Sequence, residues 1–249
     1  MKTVKKGSQP SVATLTTSAP ADFIKYQGEV FRGFLTVQPS QGLLDDLVES
    51  PKEEEALEAF YYLDEISPKM PPVERVFRRS EQRVIQSEIS SKFNPKKKWY
   101  ASRYSDGTWG VLYSAEDEDV ALHECLFHKR KFYWEELQGR TIQIDLKIAL
   151  LGLETDWCKD LTQDFGLDHD KLNSKDESGY PYCQKLAKKY REKGAKILRT
   201  PSARHEEGVC VPIFDPQIVH KDKGHLKYIK IVLARDSAEV FEGRKKFYF

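Results

Sequence analysis

The chain has 249 residues, with 40 Lys and Arg against 39 Asp and Glu, a formal charge of +1, and 39% hydrophobic and 12% aromatic residues. That apolar and aromatic content excludes a largely disordered chain, and no apolar run approaches the ~20 residues of a membrane-spanning helix. The balanced charge removes any global attraction to nucleic acid or anionic lipid, which leaves a globular mixed protein of one large or two small domains.

Residues 1–20 are rich in Ser, Thr, Lys and Pro and are expected to form a mobile arm. Lys2, Lys5 and Lys6 are followed by no apolar segment, so no secretory signal is expected. GEVFRGFLTV (Gly28 to Val37) reads as a first strand. Pro51 to Ile66 reads as a helix, with Pro51 in its first turn and Glu53, Glu54 and Glu55 at its positive end. SPKMPP (Ser67 to Pro72) breaks the chain, and ERVFRR (Glu74 to Arg79) reads as a short strand. TWGVLYSA (Thr108 to Ala115) is a strand with Trp109, Val111, Tyr113 and Ala115 on one face. The acidic run after it starts a helix, with Asp117 as its cap, that continues to about Lys131. TIQIDLKI (Thr141 to Ile148) alternates strictly. Pro181 opens a further helix carrying Cys183, Leu186, Ala187 and Tyr190, which Gly194 closes. Strands are expected at about Lys196 to Arg199, Val209 to Phe214 and Leu226 to Ala234. Adjacent runs of strands point to an α+β fold rather than a regular βαβ array.

Cys125, Cys158, Cys183 and Cys210 include no CxxC pair, which argues against a zinc ribbon or a dithiol redox site. Four cysteines in a chain this long suggest no disulfide scaffold, so a reducing compartment, the cytoplasm, is expected.

Glu124 is the most informative position. Val120 and Ala121 lie behind it on the helical wheel, and Phe127 and His128 lie ahead, so it interrupts an apolar stripe. A carboxylate on that side costs several kcal/mol unless it is paired or lines a cavity; the bland alternative is a Glu at the stripe edge that reaches water. His123, Glu124 and His128 resemble a HExxH zinc motif, but the second His comes five residues on. Five residues turn a helix by roughly 500° and set the two imidazoles about 140° apart, so no metal site is expected there. PKKKWY (Pro95 to Tyr100) has the basic and aromatic character of single-strand binders, but the balanced total charge favours a solvated loop. No Gly-rich phosphate loop and no GxSxG elbow is present. Ser202 enters a turn after a strand, where serine is an ordinary turn former.

In chain order, VFRRS, SRYSDGTWGVLYSAEDEDVALHE, YCQKLA and KILRTPSARHEEGVCVPIF resemble the RES domain family, named for its Arg, Glu and Ser. The matching region runs from about Glu74 to Asp215. Residues 21–249 are then read as one catalytic domain, with 21–73 as an N-terminal extension like that of longer members and 74–215 as the core. The resemblance implies a compact α+β fold of mixed and antiparallel sheets with flanking helices, like that of ADP-ribosyltransferase toxins. It implies NAD as substrate, with no cofactor and no metal, a toxin-type protein with a cognate antitoxin as partner, and neither nucleic acid nor membrane as partner.

By position, Glu124 matches the family Glu and Tyr113 the Tyr of the LY strand. Arg103 matches a later Arg, Ser202 the family Ser and Gln184 the Gln of the CQ segment. Arg78 most resembles the Arg of the early strand, with Arg79 adjacent and Arg32 in VFRGF as its rival. The chemistry implied is cleavage of the nicotinamide–ribose bond by hydrolysis or phosphorolysis. Glu124 would steady the cationic ribose, Arg78 and Arg103 would hold the diphosphate, Tyr113 would pack on the nicotinamide, and Ser202 would orient an amide or ribose oxygen. Transfer of ADP-ribose to a protein is the alternative reaction. A RES fold retained as a non-catalytic binding module is the alternative class, and RNA binding through Lys96, Lys97, Lys98, Trp99 and Tyr100 is a third.

Overall fold

In the computed structural model the described residues are 21–35, 73–134, 137–242 and 245–248. The expected N-terminal arm, the helix at Pro51 to Ile66 and the break at Ser67 to Pro72 lie outside them. The described chain runs β1 (Ile24–Leu35), α1 (Val73–Phe93), β2 (Leu112–Ala115), α2 (Glu118–Phe132) and β3 (Ile142–Asp160). It continues through α3 (His169–Leu172), α4 (Tyr180–Glu192), β4 (Ile197–Pro201), β5 (Val209–Ile213), a 3₁₀ turn (Pro216–Ile218), β6 (Val219–Leu233), β7 (Ala238–Glu242) and β8 (Lys245–Tyr248). Strands join one mixed sheet in the order β1-β2-β5-β4-β3-β6-β7-β8, with helices packed against it. This is the α+β class expected from the strand runs. No described helix is long and apolar enough to cross a membrane.

The long strand β3 organises the sheet. Its alternating first half puts Ile144, Leu146 and Ile148 on one buried face with Ile229, Ile231 and Leu233 of β6. From Leu146 to Leu153 nearly every residue is buried, the pattern of a strand covered on both faces. One edge pairs with β1 from Leu146 to Cys158. The other edge pairs with β6 first and then, in parallel, with β4 at Cys158–Asp160. Because β1 also pairs with β2 at Phe31 and Ala115, strands β1, β2, β5, β4 and β3 close into a ring of hydrogen-bonded neighbours. β1 and β2 thereby meet near one end of α2.

One sequence expectation is corrected. ERVFRR is not a strand but lies in α1, a helix of 21 residues. Two adjacent apolar residues, Val76 and Phe77, carry no period of their own, but the longer window shows Ile85, Ile89 and Phe93 four apart, on a background of Glu, Gln, Arg and Lys with no breaker before Asn94 and Pro95. Ile85 and Ile89 bury that stripe against Val30, Leu112 and Val211. Arg78 and Arg79 therefore stand on a helix, and their side chains lie outside the described set. β2 is shorter than its expected span, because Thr108–Val111 enter it as an irregular segment.

α2 begins as expected. The Asp117 side chain accepts from the Asp119 backbone N–H, Glu118 and Asp119 occupy the positive first turn, and Lys129, Arg130 and Lys131 occupy the negative last turn. Val120, Leu122 and Leu126 anchor the helix in the interior. α4 follows the expected pattern too, with Pro181 in its first turn, Cys183, Leu186, Ala187 and Tyr190 buried, and Gly194 after it at φ +100°. Replacing Asp117 by Ala removes the cap of the helix that carries Glu124. The expected cost is about 1 kcal/mol, read as a lower urea midpoint at unchanged m-value.

Candidate functional site

A cavity of about 490 Å³ opens where β1, β2, α1, α2 and the loop after β4 converge. Its size falls within the ~300–1,000 Å³ common for ligand pockets. Arg32, Arg103, Tyr113, Glu124, Cys210 and Arg204 are among the residues that line it. Gly33 of β1 lets α2 come close, since a Cβ there would sit 3.2 Å from the Cys125 Cβ.

Glu124 faces this cavity. The Ser202 hydroxyl donates to Glu124 Oε1 at 2.6 Å, and the Cys210 thiol donates to the same oxygen at 3.4 Å. No donor among the described residues reaches Oε2, which leaves that oxygen for a ligand. Ser202 is buried, and its Oγ accepts from the Arg204 and His205 backbone N–H groups at 3.1 and 3.2 Å. Its single O–H and both lone pairs are thus engaged. The serine is both a turn former and the group that orients Glu124.

Tyr113 lines the cavity with its hydroxyl tied to the loop before β2. It hydrogen-bonds Ser102 Oγ at 2.7 Å and accepts from the Tyr104 backbone N–H at 2.9 Å. Burial pushes its phenol up to about 12, so the ring serves as a neutral surface. Arg103, on that loop, donates to the carbonyls of Leu172 and Ser174 at 2.8 and 2.6 Å and packs over the Tyr180 ring, 5.1 Å from its centroid. Gln184 does not line the cavity. Its amide donates to the Ser102 and Ser105 carbonyls at 2.8 and 3.2 Å and so braces the segment carrying Arg103.

The early arginine at the cavity is Arg32. It donates to the Tyr113 carbonyl at 2.8 Å and to Glu88 Oε1 at 2.9 Å. Residue 78 lies ten positions before Glu88 on α1, roughly 15 Å along the helix axis. Arg204, inside the PSAR segment, is a third guanidinium that sequence reasoning did not assign. It stacks on the Phe127 ring at 3.5 Å from the centroid and donates to the Lys175 carbonyl. Burial lowers its pKa, and the nearby Glu124 charge opposes that shift. The only sequence signal was its position two residues after Ser202.

With Lys92 and Lys129, the cavity wall carries five basic side chains against two carboxylates, Glu88 and Glu124. Such a wall focuses positive potential and favours a ligand with several negative charges. Arg32 and Arg103 can each present remaining N–H groups to phosphate oxygens, as guanidinium donors do in the absence of a Gly-rich loop.

The RES domain family profile matches residues 72–229. The chain belongs to the RES domain family. No curated protein shows detectable sequence similarity to it. Among solved structures, this RES protein is similar to a chain in the crystal structure of the M. tuberculosis MbcT–MbcA toxin–antitoxin complex, at 13% identity and a TM-score of 0.44, over 86% of this chain and 87% of that one.

Two outcomes test the geometry of this RES site. A Cβ at Gly179 would lie 2.1 Å from the Lys171 carbonyl oxygen and 2.3 Å from Ser174 Oγ. Gly179→Ala therefore displaces the turn whose carbonyls hold Arg103, with an expected loss of about 1–3 kcal/mol in denaturant unfolding. Burial, and then the Glu124 charge, raise the Cys210 thiol well above its ordinary value. Since the thiolate is the nucleophile, Cys210 should resist iodoacetamide near pH 8, and Glu124→Gln should speed its alkylation. Equal rates in timed mass spectrometry would mean that the carboxylate charge does not reach the thiol.

Proposed function

We propose that this RES protein consumes NAD by breaking its nicotinamide–ribose bond at the Glu124 cavity. The observation that carries the reading is an oriented carboxylate with one oxygen left for a ligand, set in a wall of five cations. A dinucleotide diphosphate carries the negative charge that wall favours, and its ribose develops the positive charge that the carboxylate favours.

In this reading the bond between the ribose carbon and the nicotinamide nitrogen breaks with its electron pair going to nitrogen. The pyridinium leaves as neutral nicotinamide, so the leaving group needs no proton. Positive charge builds on the ribose carbon and ring oxygen, and Glu124 Oε2 stabilises it in a partly dry site, where a fixed charge acts more strongly than in water. Ser202 is a positioning residue, because its hydroxyl holds Oε1 and its own acceptor sites are taken by the backbone. The notion that Ser202 also orients an amide or ribose oxygen requires the Glu124 hydrogen bond to open. Arg32, Arg103 and Arg204 hold the diphosphate, Arg32 replacing Arg78 in that role. Tyr113 offers its ring to the nicotinamide, and Gln184 acts through the loop it braces. An oxygen nucleophile then bonds to the ribose carbon and loses its proton to solvent. Water yields ADP-ribose, phosphate yields its phosphate ester, and a protein side chain yields a modified protein. A toxin role with an antitoxin partner is the physiological setting that the family suggests for such an activity.

Incubating the purified chain with NAD, with and without phosphate, and resolving the products separates the three acceptors. Release of nicotinamide is expected from the wild type, with a loss of roughly 10²–10³-fold in kcat for Glu124→Gln at an unchanged melting temperature. Full activity in that variant, or no nicotinamide release by the wild type, would overturn the proposal.

A further inference from the structure

A second cluster of ligand-type side chains lies outside the cavity, on the same two elements that carry Glu124 and Ser202. Asp119 and His123 are one turn apart on α2, and His205 approaches them from the loop after β4. One donor atom from each lies within 4.8 Å of the others. The sequence expectation of no metal site rested on His123 and His128, whose five-residue spacing separates them. Asp119 and His123 are four apart, the spacing that stacks side chains on one helix face, and the third group comes from 82 positions further along the chain.

The local geometry suits an ion. The rings of His123 and His205 meet edge to face with centroids 5.0 Å apart. His205 Nε2 stands 3.3 Å from Asp119 Oδ2. Each imidazole turns Nδ1 to a backbone carbonyl, His123 to Asp119 O at 2.9 Å and His205 to Glu206 O at 2.7 Å. In His205 the carbonyl at Nδ1 assigns the ring proton to that nitrogen and the lone pair to Nε2, the nitrogen that faces Asp119, as behind metal-bound histidines; in His123 it is Nδ1 that stands 3.7 Å from Asp119 Oδ1. Bonds of ~2.0–2.1 Å to one ion bring donor atoms within ~4 Å of each other, so donors that now lie within 4.8 Å have about 1 Å to close. Two imidazoles and one carboxylate suit a borderline divalent ion such as zinc, with water completing the shell, better than calcium or magnesium, which prefer all-oxygen shells.

We propose that Asp119, His123 and His205 form a zinc-class divalent metal site that clamps the Ser202–Gly208 loop to α2. His123 precedes Glu124 and His205 follows Arg204, so an ion there would fasten together the two backbone segments joined in the cavity by the Ser202–Glu124 hydrogen bond. The site is half-exposed and reachable from solvent, and its occupancy does not depend on which substrate the cavity takes.

Zinc titration of the full chain by calorimetry tests the site, with His123→Asn, His205→Asn and, as control, His220→Asn. One equivalent is expected to bind wild type and the control alike, with ~10-fold or greater weakening in each of the other two variants. Hydrogen exchange should slow in residues 202–208 and in the first turns of α2 when zinc is added, and should not slow in the His205→Asn variant. The assignment is overturned if the two histidine variants bind zinc as wild type does. Binding at the expected strength without slowed exchange would overturn the clamp.

Discussion

The hydrogen bond from Ser202 to Glu124 is the interaction on which the arrangement of the site depends. It joins α2 to the loop after β4, two elements 78 positions apart in the chain. A carboxylate at this depth would be costly if left to itself, because partial burial strips its hydration without supplying a counter-charge in direct contact. The serine hydroxyl and the Cys210 thiol supply part of what water would have given, both to one oxygen. The turn at Ser202 is built around the same hydroxyl, which accepts the Arg204 and His205 N–H groups. Loop conformation and carboxylate orientation are therefore not independent, and a change in one is felt in the other.

Around this bond, the fold uses backbone carbonyls to aim arginines. Arg32 is tied to the Tyr113 carbonyl, Arg103 to those of Leu172 and Ser174, and Arg204 to that of Lys175. Each contact fixes a guanidinium without neutralising it. Among the described residues, Arg32 alone of the three also meets a carboxylate, Glu88, whose own pKa is held down by Arg32 and Lys92 against the opposing effect of burial. The wall stays cationic although the whole chain is nearly neutral. The physical consequence is a local field that overall composition conceals.

Tyr113, Gln184 and the loop from Ser102 to Ser105 form a supporting layer. The tyrosine hydroxyl binds that loop from one side and the Gln184 amide from another. Tyr104, buried behind it, reaches Thr200 of β4 at 2.6 Å. This layer connects the segment that carries Arg103 to the strand that leads into Ser202. The cation and the acid are thus referenced to a common frame, a condition for any site that works by fixed charges rather than by mobile ones.

Much of this was legible in the residues. The alternation of β3, the Asp117 cap, the Pro181 start and the apolar stripe broken by Glu124 all follow from local periodicity and capping chemistry, which act over a turn or two and are written in neighbouring residues. The strand read at ERVFRR failed because a six-residue window cannot separate a period of 2 from one of 3.6 when only two apolar residues fall within it. Long-range placement was not legible. That Arg32 lines the cavity depends on β1 lying between β2 and β3. That Arg204 joins the wall depends on how the loop after β4 folds over α2, and the convergence of Asp119, His123 and His205 has the same origin. Sequence by itself determined which segments become helix or strand and which residue types could carry chemistry. Tertiary structure alone decided which of them meet, because pairing across tens of residues is set by sheet order and packing, to which no local pattern gives access.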